Sequence, residues 1–276
     1  MRFKLYREHG ALNSPPVFNA FEQGVLSHGH KIVNSNEDIA VIWSVLWAGR
    51  MSANREIYNR CQLNNTKVII IEVGNLIRDY TWRISLNHIN ALGQFGNIDN
   101  LDYARPSKLK IKLSPAQVSR KPEILIAGQH QQSLQWEGQP RMAEWISNTV
   151  TEIRKYSNRN IIVRAHPRSK IVEHIPNVQL EVAKKIQGTY DAFDINYGYH
   201  CVINYNSGPA VQAAIQGVPI ICNSSSLAYP VSADMSTIEN IILPDRTDWF
   251  LKLCHTEWSV EEIANGIPLS RLPIDI

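Results

Sequence analysis

Three short polar and basic clusters, each following an apolar run, hold most of the side chains that could do chemistry. The first is Arg164-Ala-His-Pro-Arg168, after Asn160-Ile-Ile-Val. Arg164, His166 and Arg168 fall in a turn held by Pro167. Two guanidinium groups, each a bidentate donor, together with an imidazole suit a phosphate or diphosphate. The second is Asn206-Ser207-Gly208, between the apolar run His200–Tyr205 and the Ala-rich stretch Pro209–Gln216. Ser207 and the open N–H groups of a helix starting here would receive an anion, and Gly208 lets the backbone come close to it. An ordinary serine N-cap is the simpler reading. Taken with the Arg-His-Pro-Arg turn, the cluster reads as the second side of a phosphate clamp. The third is Gly128-Gln129-His130-Gln-Gln-Ser133, where Gln129, His130 and Ser133 are expected to reach toward phosphate or sugar.

The first half carries a different set. Trp43-Ser-Val-Leu-Trp-Ala-Gly-Arg-Met51 ends an apolar run in Trp47, Gly49 and Arg50, with Asn54 in the following helix. Trp43 suits a core, whereas Trp47 beside Gly49-Arg50 suits a stacking surface with an anion contact. Glu72-Val-Gly-Asn-Leu-Ile-Arg78-Asp79 places a carboxylate and a guanidinium at another strand end. Glu22 is a further carboxylate on the first helix. No Asp-x-Asp occurs, so a metal-clamped diphosphate is not expected and cationic side chains would take its place.

The elements that must position these residues alternate. Residues 1–7, 38–45 and 67–73 read as strands, with helices over 17–28 and 51–64. A loop-rich stretch over 97–122 follows. Strands over 123–127, 160–164, 200–205 and 218–222 then alternate with helices over 140–156 and 209–216, with a short helix at Asp191–Ala192. The pattern predicts an α/β protein of two doubly wound, parallel-sheet (Rossmann-like) domains, 1–122 and 123–276, with an interdomain cleft.

Composition narrows the class. Residues 1–122 hold 16 Lys/Arg against 9 Asp/Glu, and residues 123–276 hold 12 against 16, so the halves carry +7 and −4. A basic first half suggests an anionic partner. The four cysteines, Cys61, Cys201, Cys222 and Cys254, are far apart and form no Cys-x-x-Cys pair, which excludes a zinc-ribbon pattern. No apolar run reaches transmembrane length, and the N-terminus lacks a signal-peptide core, so a cytoplasmic protein without a membrane partner is expected.

The clusters at His166-Pro167, Ser207 and Ala214…Gly217-Val-Pro219 resemble the His-Pro and Ser motifs of capsule-polysaccharide-type glycosyltransferases with the GT-B fold, and Gly128-Gln129 resembles a glycine-glutamine element of the same enzymes. The first half, through Trp43–Met51, Glu72–Gly74, Trp82…Asn87-His-Ile-Asn90 and the C-terminal Trp258…Glu261-Glu-Ile-Ala-Asn-Gly266, is similar to phage-encoded glycosyltransferases that decorate hydroxymethylated bases in DNA.

This resemblance implies a nucleotide-sugar donor, UDP-linked and used as a co-substrate with no cofactor or metal. It implies donor phosphates held at His166 and Ser207. The donor-binding set is then Gln129, His130, Ser133, Arg164, His166, Pro167, Arg168, Tyr190, Asn206, Ser207 and Gly208, with the nucleotide base against residues 170–195, including Val172, Ile186 and Tyr190. Trp47, Gly49, Arg50, Asn54 and Arg78 would meet the acceptor, expected to be a hydroxymethylated pyrimidine in double-stranded DNA. An inverting sugar transfer also needs a base for the acceptor hydroxyl, with Glu72, Glu22 and Asp79 as candidates. Two other functions fit the same residues: transfer to a surface polysaccharide or lipid-linked glycan, and a non-catalytic nucleotide- or DNA-binding module.

Overall fold

The computed structural model describes residues 1–118, 120–189 and 192–274. They fall into two compact units. The first unit comprises residues 1–109, 132–134 and 251–276, and the second comprises 110–131 and 135–250. The expected division at 122 differs from this one in two ways: residues 110–122 group with the second unit, and the C-terminal segment returns to the first.

The first unit is built on β1 (Arg2–Leu5), β2 (Lys31–Ile32), β3 (Ile39–Trp43), β4 (Lys67–Val73) and β5 (Thr81–Leu86). The second holds β6 (Lys121–Ala127), β7 (Ile161–Arg164), β8 (Gln179–Glu181), a short antiparallel ribbon of β9 (Lys184–Lys185) and β10 (Phe193–Asp194), then β11 (Tyr199–Asn204) and β12 (Ile220–Cys222). The last strand, β13 (Glu257–Ser259), belongs to the first unit.

The first sheet has the order β13-β5-β4-β3-β1-β2. Strands β1 to β4 are parallel, as the alternation predicts. Both faces of β3 and β4 are buried, which explains why they read as unbroken apolar runs. Ile39, Val41, Trp43, Ile69 and Ile71 point to one core, against Phe18, Phe21 and Val25 of α1 (Pro15–Ser27). Ala40, Ile42, Val68 and Ile70 point to the other, against Ile57, Tyr58 and Cys61 of α2 (Asn54–Leu63).

The sheet then departs from the all-parallel expectation, because β5 pairs antiparallel with β4 and β13 antiparallel with β5. The connection over 74–80 is too short for a helical crossover, so the chain must return as a hairpin. Gly74 is required there: a Cβ would lie 2.3 Å from the Thr81 carbonyl oxygen and 2.4 Å from a Glu257 carboxylate oxygen.

Arg105, at the start of α3 (Arg105–Lys108), anchors the returning segment. It pairs with Glu262, donates to the carbonyls of Cys254 and Glu257, and lies 4.2 Å from the centre of the Trp258 ring.

The second sheet is parallel throughout, in the order β12-β11-β6-β7-β8. Ile124, Ile126, Ile161, Val163, Cys201 and Ile203 form a core with Met142, Ile146, Val150 and Ile153 of α4 (Met142–Ile153). The next helix, α5 (Gly208–Ile215), packs on β11 and β12. After α5, Gly217 has φ +80° and lies where a Cβ would meet the Pro115 carbonyl oxygen at 2.0 Å, so no other residue turns the chain here. Helix α6 (Thr247–Leu253) leads out of the second unit. The short helices α7 (Val260–Ala264) and α8 (Ile267–Arg271) complete the first.

Candidate functional site

Strand order decides which loops meet in the second unit. The chain starts the sheet at β6, moves to β7 and β8 on one side, and returns to β11 and β12 on the other. The carboxyl ends of β6 and β11 therefore form a topological switch point, where loops diverge and leave a crevice. The Arg-His-Pro-Arg turn follows β7 and Asn206-Ser207-Gly208 follows β11, so these two motifs are not on adjacent strands. Strand β6 stands between them.

The loop after β6 joins both motifs. On one side, Gln129 donates from Nε2 to Asn206 Oδ1 at 3.1 Å and accepts from Asn206 N at 3.2 Å. Asn206 also donates to Ser225 Oγ at 2.9 Å and its carbonyl accepts from Gln135. Both amides are buried, so they hold two loops together. On the other side, His130 and His166 meet edge to face with ring centres 5.2 Å apart. His166 closes the tight turn 166–169 through its carbonyl, and Pro167 takes the second turn position, where its fixed φ belongs. The Nδ1 of His166 accepts from Arg168 N at 3.1 Å, so in the neutral ring the proton sits on Nε2. The half-buried His130 is held below the usual histidine range, chiefly by burial and next by the Arg168 charge. The Arg168 side chain is exposed.

Ser207 stands at the N-cap of α5, and its side chain does not cap the helix. Instead Asn204 holds it: Asn204 Oδ1 accepts from Ser207 N at 2.8 Å, and Asn204 Nδ2 donates to Ser207 Oγ at 3.0 Å and to the Ala127 carbonyl at 2.8 Å. The ordinary N-cap reading therefore fails. Ser207, half-buried, is presented with the first turn of a helix whose side-chain cap is missing, which is the arrangement that receives an anion. Asn204 was not among the expected residues, and its signal was an amide ending an otherwise apolar strand.

Arg164 is corrected. At 4% exposure it lies beneath the edge, donating to Glu181 at 2.7 and 2.9 Å and to the Asn196 carbonyl, beside the Tyr197 and Tyr199 rings. Its charge is neutralised inside the unit, and Glu181 also accepts from Tyr199. Ser133 is corrected too: it is buried, bridges Leu46 and groups with the first unit. Tyr190 and Asp191 lie outside the described residues. Val172 and Ile186 are exposed.

The first unit has its own set of residues at strand ends. Trp47 is 7% exposed, packs 5.8 Å from the Tyr58 ring and belongs to the core on the α2 face, so it offers no stacking surface. Asn54 is fully buried and donates to the Trp43 carbonyl at 2.6 Å, which fixes α2 to the end of β3. Gly49 has φ +57° and opens a turn that leaves Arg50 exposed, and Arg78 is exposed in the β4–β5 connection.

The three carboxylates differ. Glu22, on α1, pairs at 2.5 Å with Arg7, which lies in the turn before that helix. Asp79, with φ +59° in an exposed turn, accepts from Asn13 at 3.4 Å. Glu72, near the carboxyl end of β4, accepts from Ser44 Oγ at 2.6 Å and from Val73 N at 2.9 Å, so each oxygen has a fixed donor. Glu257, fully buried, accepts from the N–H groups of Asn75 and Leu76 and from Thr81 and Arg83, and it pins the loop that follows Glu72. Nothing at sequence level marks Glu257, which acts on residues some 180 positions away.

No protein-family model matches the sequence, and no curated protein does. Among solved structures, the chain resembles one described as Thermosulfurimonas dismutans KpsC, beta Kdo 2,7 transferase. Identity is 14%, the TM-score is 0.50, and the match covers 98% of this chain and 99% of that one. A second T. dismutans KpsC structure, described as a beta Kdo 2,4 transferase, matches at 10% identity and a TM-score of 0.48, over 97% of this chain and 98% of that one. The first likeness agrees with a GT-B-like fold of two Rossmann-like units. No helix among the described residues is long and apolar enough to cross a membrane.

Proposed function

We propose that this chain is a nucleotide-sugar-dependent glycosyltransferase whose second unit holds the donor and whose acceptor is a saccharide chain. The observation that carries the reading is the joined edge of the second sheet. Its β6 loop binds the Ser207 loop through Gln129 and the His166 turn through His130. Ser207, the first N–H groups of α5, the Nε2 proton of His166 and the Arg168 guanidinium would together take up the charge that develops on a departing nucleoside diphosphate. Transfer needs a base for the acceptor hydroxyl, and Glu72 is the carboxylate we assign to it: as the acceptor oxygen bonds to the anomeric carbon its proton goes to the base, and the bond to the nucleotide breaks with its electron pair leaving on phosphate.

The saccharide acceptor is favoured over hydroxymethylated DNA on three grounds. The charge asymmetry of the sequence halves disappears when charge is counted by structural unit: the first holds 14 Lys/Arg against 13 Asp/Glu, net +1, and the second 14 against 12, net +2. An enzyme gripping a phosphate backbone draws affinity from several unbalanced cations. In addition, the buried Trp47 cannot stack on a base. The fold likeness to a protein described as a Kdo transferase points the same way.

The test incubates the protein with a panel of sugar nucleotides and two acceptor sets, oligosaccharides and hydroxymethylated duplex DNA, followed by mass spectrometry. A sugar added to oligosaccharide and lost in His166→Ala is the expected result. Transfer to DNA alone, with a steep salt dependence, would restore the DNA reading. Nucleotide binding without turnover of any donor would favour a non-catalytic module.

A further inference from the structure

Among the described residues, seven other than glycine have positive φ: Asn36, Ser44, Asn65, Asp79, Asn87, Lys110 and Asn177. Asparagine and aspartate tolerate this region, and Lys110 is exposed. Ser44, with φ +63°, is the only buried one, at 4% exposure, and serine has no comparable tolerance. A buried residue held in a costly conformation persists only where its surroundings dictate it, and such residues gather at functional sites.

The surroundings of Ser44 are specific. It follows the last residue of β3, and its N–H still donates to the Ile71 carbonyl at 2.8 Å, continuing the ladder with β4. Its hydroxyl oxygen accepts from Leu46 N at 3.2 Å, which leaves the hydroxyl proton to point at Glu72 Oε2, 2.6 Å away. The other oxygen of Glu72 is held by Val73 N at 2.9 Å. The carboxylate is thus fixed at both oxygens, one of them through a strained backbone. Neither Glu22 nor Asp79 has such a holder.

We infer that Ser44 is a positioning residue for the transfer reaction: its left-handed backbone aims the hydroxyl that orients the Glu72 carboxylate toward the acceptor. The inference rests on the transferase reading above. It predicts that strain and activity are coupled, because relieving the one removes the other.

The decisive variant is Ser44→Gly, which removes the hydroxyl and fits the positive φ without strain. Its denaturation midpoint should equal or exceed the wild-type value, while kcat falls about ten- to a hundredfold with KM for donor and acceptor within about twofold. In Ser44→Ala kcat should fall similarly with no gain in midpoint. Adding Ser44→Gly to Glu72→Gln should cost little further activity, because both changes act on one carboxylate. A Ser44→Gly protein with wild-type kcat would overturn the proposal. So would one that loses stability and activity together, or a double variant whose losses multiply. A wild-type protein that turns over no sugar nucleotide sinks the transferase reading and this proposal with it. That result is distinguishable, since in every other outcome the wild type is active and the variants decide.

Discussion

The strand-end edges of the two units are built from similar residue types to opposite effect. In the second unit, neutral amides and histidines cross-link three loops, and the groups presented are donors: Ser207, a helix N-terminus, an imidazole N–H and Arg168. In the first unit the presented group is an acceptor, the Glu72 carboxylate, and the polar and aromatic residues around it are turned inward. Asn206 and Asn54 show the contrast. Both are asparagines near strand ends and both are buried, yet one ties two loops of the edge together while the other fastens a helix to a strand. A polar residue in a promising loop can therefore belong to the frame, and its hydrogen-bond partners show which elements it joins.

The comparison can be broken or sharpened by substitution. The largest effect is expected from Glu72→Gln, with kcat falling about 10²- to 10⁴-fold as the proton acceptor is lost. Nucleotide affinity, read by calorimetry, should hold, and a fall in affinity would mean the two edges do not divide the work. Trp47→Ala should cost about 3–5 kcal/mol of stability in a denaturant titration, as for a core tryptophan. Trp47→Phe should leave acceptor KM unchanged, and a selective rise in that KM would return Trp47 to the acceptor surface.

Gln129→Ala and Asn206→Ala should each cost about 1–3 kcal/mol, since each strands a buried partner. Together they should cost clearly less than the sum, and additivity would show that the pair does not act as one unit. His166→Ala and Ser207→Ala should each weaken nucleotide diphosphate binding by about tenfold, the worth of one charge-assisted hydrogen bond. Unchanged affinity would remove these residues from the donor site.

The smallest effect concerns pH. His30, His88, His130, His200 and His255 are all held below the ordinary value of 6.5, each chiefly by burial. The unfolded chain therefore takes up protons first, so stability is full above 6.5 and declines as pH falls below it. His255 adds a specific loss, because its Nε2 accepts from Asp102 N and cannot do so when protonated. Denaturation midpoints that do not fall between about pH 7 and pH 5 would contradict this.

Much of the core frame was legible in the sequence because doubly covered parallel strands leave a plain mark. Residues 67–73 are apolar on both faces through Val68–Ile71 and match β4, and 200–205 and 160–164 match β11 and β7 within a residue. Strand β5 left no such mark, since it carries the buried Arg83 and Ser85, whose partners are the Ile89 and His88 carbonyls. The site was legible as positions and not as roles. Arg164 and Arg168 look alike in the chain, but only the three-dimensional neighbour Glu181 makes one of them internal.

The sequence by itself determined the two alternating α/β segments, the strand ends that carry polar clusters, and the turn at Pro167, because these follow from local periodicity and backbone chemistry. Tertiary structure decided the rest. It returned residues 251–276, net −2, to the first unit through the antiparallel pairing of β13 with β5, and it gave residues 110–122, net +4, to the second, which together reduce the apparent basic half to +1. It placed β6 between the two clamp motifs and set Ser44 against Glu72. Each of these depends on contacts between residues distant in the chain, about which local periodicity carries no information.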